Sequence, residues 1–452
     1  MAMTDDVPVH LRGNGAPVSE ERTLTNLKVI GKLPAELDGR YLRNGANPIS
    51  GMSEHPFFGD GMIHGIRLRD GKAEWYRNRY VRTPFFNDPS LNILDPAVML
   101  DMKSSKANTH IVGHAGQILA LEEGHFPYVL DGNLETIGAT DYQGRLKGPF
   151  TAHPKICPTT GEMLAFGYSF LEPYLTYLRV SARGELLQVE PITVNGPTMM
   201  HDFNVTQNHV IFMDLPAVFS LERAMNGDMP IAWDDNYPSR LGVMPRNGND
   251  SQVKWYDIDP CYVFHPVNAH DDGDNIVLHV SRQPEAFGRH SDDYAEVGRL
   301  WKWTIDTKRG KVTEELVDDR PGDFGRVDDR RVGLPARYGY LMALAGEGNA
   351  EEPVYGSALW KYDLTTGACV EHHLGDGVRG SEPVFAPAGP DASEDEGWVI
   401  TIVHDTGTNR SKLIIVDARD FSAPPVATVH LPQRAPYGAH GSWIPSTSIA
   451  TS

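Results

Sequence analysis

The chain has 452 residues, 40% of them hydrophobic, which is enough for a large core. Its 41 basic and 60 acidic residues leave a net charge of −19. That balance argues against nucleic acid or an anionic lipid surface as partner and fits a soluble, cytoplasmic protein without stable membrane insertion. Three widely spaced cysteines, Cys157, Cys261 and Cys369, give neither a disulfide framework nor a cysteine zinc site. The N-terminal stretch has no basic start and no apolar segment of the signal-peptide kind, and no apolar run approaches the length of a membrane span.

Residues 1–25 read as an irregular N-terminal arm. Beyond them the chain repeats one pattern: a short β-rich run, a tight turn, a second β-rich run. Ile66-Arg67-Leu68-Arg69 turns at Asp70-Gly71 into Ala73-Glu74-Trp75-Tyr76, and Tyr128-Val129-Leu130 turns at Asp131-Gly132 into Leu134-Glu135-Thr136-Ile137. Pro158 to Gly161 leads into Met163-Leu164-Ala165-Phe166, and Val180 to Gly184 into Leu186-Leu187-Gln188-Val189. A helical turn or two is expected at Ser220 to Asn226, outside the sheets. Trp303 to Asp306 turns toward Val312, Trp360 to Asp363 toward Cys369, and Leu413 to Asp417 precedes Val426 to Val429. About seven such hairpins fit the blades of a propeller, in which each four-stranded unit buries its faces against its neighbours. A pair of β-sandwiches is the weaker alternative, because the turns run through the whole chain without a linker. Length alone would allow two or three domains, but a large all-β fold can stay in one. The expectation is therefore an all-β chain, a single domain over residues 1–452. The acidic stretch Asp391 to Gly397 reads as a solvated loop, not a boundary.

Eighteen histidines are present, and most need no special role: His10 lies in the arm, His372 and His373 in a polar strand, and His55, His290 and His404 near loops. His265 is different. It closes the apolar run Tyr262-Val263-Phe264, and Pro266 follows at once, so it is expected at a strand end, aimed from a stiff bend. Asp271-Asp272-Gly273 then reads as a turn into the strand Asn275 to Val280. Alone, such a residue is more often a loop histidine satisfied by hydrogen bonds. Three others share its setting: His153 before Pro154, His201 after Met199-Met200, and His440 after Gly438-Ala439. Each follows a turn or small residues and borders a β-rich run. Separations of 48, 64 and 175 residues would scatter them in a linear fold. In a ring of blades, equivalent strand starts point to one axis, where four imidazoles can meet.

The segments Ala152-His153-Pro154, Met200-His201-Asp202-Phe203, Val263-Phe264-His265-Pro266-Val267-Asn268-Ala269 and Gly438-Ala439-His440-Gly441 resemble the carotenoid cleavage oxygenases. So do Arg40 to Pro48 and Gly59 to Gly65, and the likeness runs from about Leu27 to Trp443. The resemblance implies a seven-bladed β-propeller with one iron(II) per chain on its axis, held by His153, His201, His265 and His440, under a small loop and helix cap. Four neutral imidazoles suit iron, copper or zinc by ligand type alone, and their outer ring nitrogens need acidic partners. By the family pattern Glu123 would orient His201, Asp323 would orient His265 and Glu382 would orient His440. Asp323, in Gly322-Asp323-Phe324-Gly325, stands where the family has a glutamate, and is expected to do the same work from a closer backbone or through a water. Thr109 matches a threonine close to the vacant side of the iron.

The implied reaction is cleavage of a carbon–carbon double bond by O₂ into two carbonyl products, a dioxygenase activity without external reductant. Family substrates are carotenoids, apocarotenoids, stilbenes and phenylpropenes. Stilbene cleavers carry a phenol-binding lysine just before the first of these glutamates, whereas here Glu122 stands there, with Thr83-Pro84-Phe85-Phe86 in place of the partner tyrosine. That disfavours phenols and favours a polyene. Residues 215–245 are short and polar where membrane-feeding relatives insert an apolar helix, which favours a substrate free of the bilayer. An apocarotenoid satisfies both. Phe57, Phe86, Phe150 and Phe264, with Glu122, are candidate substrate residues, although most such aromatics are blade core. The alternatives are stilbene or phenylpropene cleavage and, in a different class, a non-catalytic ligand-binding propeller. A calcium-centred lactonase would need carboxylates, not histidines, and isomerohydrolase chemistry suits membrane esters. A monomer or small homo-oligomer is expected.

Overall fold

A computed structural model describes residues 7–92, 95–226, 229–287, 297–345 and 355–450. His290 lies outside the described residues. Among them, seven sheets of four or more strands are present, with one further two-stranded ribbon; the strand pairs described are antiparallel, and one isolated bridge, Gly116 to Ile449, is parallel. The seven sheets are the blades of a seven-bladed β-propeller. All seven expected hairpins are found as neighbouring strands.

Local sequence explains the meanders. Strands Met62–Arg69 and Lys72–Tyr80 are joined through Asp70 and Gly71, both at positive φ (49° and 68°). Two central residues at positive φ make the turn whose twist matches a hairpin. Ala115 and Gly116 repeat this between His110–His114 and Gln117–Leu121. Side chains then alternate: in Lys72–Tyr80 the buried positions are Tyr76, Asn78 and Tyr80, every second residue.

By internal contacts the chain divides into two compact units. One comprises residues 148–348 and 361–369. Its meanders are Lys155–Ile156 through Leu186–Ile192, Asn204–Val205 through Lys254–Asp257, and Tyr262–Asp272 through Lys311–Asp318. They share one apolar core that includes Phe166, Phe203, Phe212, Tyr262 and Trp303, each essentially inaccessible. Helix Leu221–Asn226 lies off the sheets, as expected. The other unit comprises residues 1–147, 349–360 and 370–452. In it the strand Gly39–Arg43 pairs with Gly441–Pro445, with Tyr41 opposite Trp443, so an early strand and a late one share a blade. Gly441–Pro445 is the strand at one end of that sheet's order. Of the arm, residues 7–25 are described, and they are irregular apart from two short 3₁₀ turns and the two-residue strand Thr23–Leu24. Residues 391–396 are a loop between Val384–Pro387 and Gly397–Asp405. No helix among the described residues is long and apolar enough to cross a membrane.

One expectation is corrected. His265 does not end its strand, because Tyr262–Asp272 runs through it for 11 residues. Pro266 still matters. Pairing with the next strand slips between Val263 and Pro266 and again between Pro266 and Asn268. Proline cannot donate to the ladder, so the strand bulges there instead of stopping, and the bulge re-aims the residue before it.

Candidate metal centre

Each of the four histidines borders a strand at one end of its sheet's order. His153 comes two residues before Lys155–Ile156, His201 three before Asn204–Val205, His440 one before Gly441–Pro445, and His265 sits at the bulge in Tyr262–Asp272. A residue just outside a ladder is free of the pleat's alternation and can be aimed by the turn before it. Thr151 Oγ1 accepts the His153 backbone N–H at 2.8 Å, and the Thr109 carbonyl accepts that of His440 at 3.2 Å.

The four rings are buried, and one ring nitrogen from each lies within 4.8 Å of all the others. His153 Nε2 is 3.1 Å from His201 Nε2, which is 3.2 Å from His265 Nε2. Nitrogens bound about 2.1 Å from an ion stand about 3.0 Å apart at right angles and about 3.4 Å apart in a tetrahedron. The two spacings that link His153, His201 and His265 fall within that interval. Four imidazole nitrogens turned inward at this distance fit a transition-metal ion.

The outer nitrogens of His153, His265 and His440 face carboxylates. Glu382, buried, accepts from His440 Nδ1 at 3.0 Å with Oε1 and from the Gly441 N–H at 2.7 Å with Oε2. Asp323 Oδ2 lies 3.1 Å from His265 Nδ1, a direct contact needing no intervening water. Asp323 is buried, not one of the surface charges around it. The following residue, Phe324, is at φ 57° and stacks on the His265 ring with centroids 4.8 Å apart. A left-handed backbone at a non-glycine residue is costly; here it lets one short segment supply both the carboxylate and the ring that clamp His265. The hydrogen bond to Glu382 fixes the His440 tautomer with its other nitrogen inward.

Sequence reasoning missed three residues. Asp202 Oδ2 lies 3.6 Å from His153 Nδ1, and Lys155 Nζ is 2.8 Å from Asp202 Oδ1. Burial pushes the Asp202 carboxyl upward, against the pull of Lys155, His265 and the Phe203 N–H. Both residues stood inside segments already singled out, His153-Pro154-Lys155 and His201-Asp202, so the signal was a charged neighbour at each histidine. The third, His110, has its ring 5.1 Å from that of His440, next to Thr109 in sequence.

A family model described as retinal pigment epithelial membrane protein matches residues 15–445. A carotenoid cleavage oxygenase of Mycobacterium tuberculosis is 37% identical over 497 aligned positions, which cover 97% of this chain and 98% of that protein. The chain belongs to the carotenoid cleavage oxygenase family. It is an oxidoreductase of the dioxygenase type. Among solved structures, a lignostilbene dioxygenase of Pseudomonas brassicacearum superposes with a TM-score of 0.89 at 29% identity, covering 98% of this chain and all of that one. An apocarotenoid oxygenase of Synechocystis, as a variant, superposes at 0.84 with 27% identity, covering 97% and 98%.

Other candidate residues of this oxygenase are spread more widely. Phe264 stands edge-on to His201 with centroids 5.2 Å apart and packs on Tyr262 and Phe287. Phe150 is fully buried. Phe57 is exposed beside His55, and Phe86 lies against Tyr80 and under the Arg82 guanidinium. Glu122 is bound into its own loop: it accepts the Lys106 and Gly124 N–H groups at 3.1 and 3.0 Å and pairs with His125. Burial would raise the Glu122 carboxyl, but His125 and these N–H donors hold it below the ordinary value. Thr109 Oγ1 donates to Asn108 Oδ1 at 3.1 Å.

Proposed function

We propose that the chain is an iron(II) dioxygenase that cleaves a double bond of an apocarotenoid with O₂ to give two carbonyl products. The observation that carries this is the inward cluster of four imidazole nitrogens, backed by buried carboxylates, in a chain of this family. His153, His201, His265 and His440 would hold the ion. When bound, iron(II) supplies the means to bring O₂ into reaction with an electron-rich alkene. The chain's residues do the rest. Asp323 and Glu382 fix the imidazoles of His265 and His440, and Glu123 is assigned the same task at His201. Thr109, whose carbonyl holds the His440 backbone, shapes the approach to the ion. Phe264 offers an apolar wall beside His201 and helps exclude water. Phe57, Phe86 and Phe150 stay candidates for the substrate path.

Two features support a polyene over a phenol. At the position before Glu123 stands an acid held by His125 and two backbone N–H groups, in place of the lysine that would pair with a phenolate. A carotenoid cleavage oxygenase is 37% identical over nearly the whole of this chain. The chain is also trimmed. The mycobacterial alignment spans 497 positions where this chain has 452 residues, so at least 45 positions are insertions in that relative. A shorter chain with net charge −19 favours a substrate met in the cytoplasm and not drawn from a bilayer. Stilbene or phenylpropene cleavage is the second reading, favoured by the TM-score of 0.89 to the lignostilbene enzyme.

The test is aerobic incubation of iron-loaded protein with an apocarotenal, a hydroxystilbene and isoeugenol, with carbonyl products read by mass. Paired aldehydes from the apocarotenal in preference to the others are expected. Faster turnover of the hydroxystilbene or isoeugenol would overturn the substrate assignment. Less than one iron per chain after anaerobic reconstitution would favour a non-catalytic binding role.

A further inference from the structure

His153 is backed differently from His265 and His440. Those two face carboxylates at 3.1 and 3.0 Å. His153 faces Asp202 at 3.6 Å, and that carboxylate is shared. Lys155 Nζ sits 2.8 Å from one oxygen and 2.9 Å from the other, and the Phe203 N–H donates to Oδ1 at 2.6 Å. His153 and Asp202 are both buried, and the Lys155 side chain keeps only 21% of its exposure. Two short segments therefore provide two imidazoles and one buried ion pair. His153 and Lys155 are two residues apart, and Asp202 directly follows His201.

A carboxylate behind a metal-bound imidazole holds the ring and makes its inner nitrogen a stronger donor. An ammonium group in contact with that carboxylate cancels much of its field. We propose that Asp202 is a positioning residue for His153 and that Lys155 holds back its charge, so that His153 is a weaker donor to the ion than His265 or His440. The inference rests on the metal-centre reading above. The geometry gives it a consequence that a merely structural ion pair lacks: removing the two partners moves metal affinity in opposite directions. Without Lys155, the full carboxylate charge acts on a divalent ion in a dry site. Without the Asp202 charge, His153 loses its orienting partner and the ammonium is left beside the ion.

The experiment is a cobalt(II) titration of metal-stripped wild type, Asp202→Asn, Lys155→Met and Lys155→Arg, followed by the visible cobalt bands. Asp202→Asn should bind cobalt about 10-fold more weakly, the lower end for loss of such a partner. Lys155→Met should bind more tightly than wild type, and Lys155→Arg, which keeps the charge, should match wild type. Asp202→Asn within two-fold of wild type, or both changes weakening binding alike, would overturn the proposal. Should Lys155→Met fail to fold, Asp202→Glu decides: it restores the charge and should recover affinity relative to Asp202→Asn, and no recovery refutes the role. The two readings fail separately. Wild type that binds no cobalt, or binds it equally with His201→Ala, removes the metal centre itself, whereas normal binding that ignores Asp202 removes only this inference.

Discussion

Replacing Glu382 by alanine takes the acceptor from two buried donors at once. Oε1 accepts from His440 Nδ1 at 3.0 Å and Oε2 from the Gly441 N–H at 2.7 Å, and the carboxylate keeps 4% of its exposure. Each donor left unsatisfied costs about 1–3 kcal/mol, so the pair costs about 2–6 kcal/mol. At about 2.1 cal/mol/K per residue, the 452-residue chain, treated as one transition, unfolds with an entropy of about 0.9 kcal/mol/K, so Tm should fall by about 2–6 °C. Glu382→Gln keeps one carbonyl acceptor but turns an amide N–H₂ toward the second donor, and should fall between the two. Both changes also free the His440 ring, so cobalt affinity should drop about 10- to 100-fold. Thermal unfolding of the metal-free protein and cobalt titration read the two effects independently. A Tm within 1 °C of wild type together with unchanged cobalt affinity for Glu382→Ala would refute the assignment of this carboxylate to His440.

Asp323→Ala should lower iron content and turnover together, by about 10-fold or more, because the contact to His265 is direct; iron and turnover at wild-type level would remove its role. Asp323→Glu should retain part of the affinity, since the longer side chain must fit where Phe324 already stacks on His265. The Glu122–His125 pair gives a pH signature. Burial disfavours both charges, but their attraction and the added N–H donors leave Glu122 below 4.5 and His125 above 6.5. The His125 part of the stabilisation is whole below about pH 6.5 and is lost as pH rises through its raised pKa; the Glu122 part is whole above about pH 4.5 and is lost as pH falls through its lowered pKa. The Tm gap between wild type and Glu122→Gln should therefore peak near about pH 5.5 and shrink toward pH 9, and a gap that does not vary with pH would contradict the pairing.

Six of the sheets were legible because their signals are local; two expected hairpins fell in one sheet and none in the sheet from Asn204–Val205 to Lys254–Asp257. A turn such as Asp70-Gly71 needs positive φ at two adjacent residues, and the flanking alternation of buried and exposed positions is written in consecutive letters. The histidines stood out for a related reason: His153, His201 and His440 come just before a strand, and His265 sits at the bulge that Pro266 makes in one. What sequence could not supply was the response of a ladder to such an interruption. Pro266 was read as a strand end, yet the strand absorbs it as a double register slip and continues to Asp272. A missing N–H removes one hydrogen bond, and the apolar residues on either side, Val263 and Val267, still gain from staying in the sheet, so a bulge costs less than a break.

The same limit explains the carboxylates. Asp323 was assigned through a family position, with its shorter side chain as the difficulty. In the fold that shortness is met by a left-handed Phe324, a conformation no sequence pattern announces at phenylalanine. Asp202 was passed over because its neighbour His201 drew the functional reading, and a buried aspartate next to a histidine in sequence has no reason, from sequence alone, to face a different histidine 48 residues earlier. Adjacent residues diverge in an extended chain: if His201 points inward, Asp202 points to the side, where the preceding blade's first strand brings His153 and Lys155. A charged residue beside a ligating histidine is thus a candidate partner for the neighbouring blade's ligand, and a lysine two residues from that ligand marks the carboxylate as one whose charge is shared.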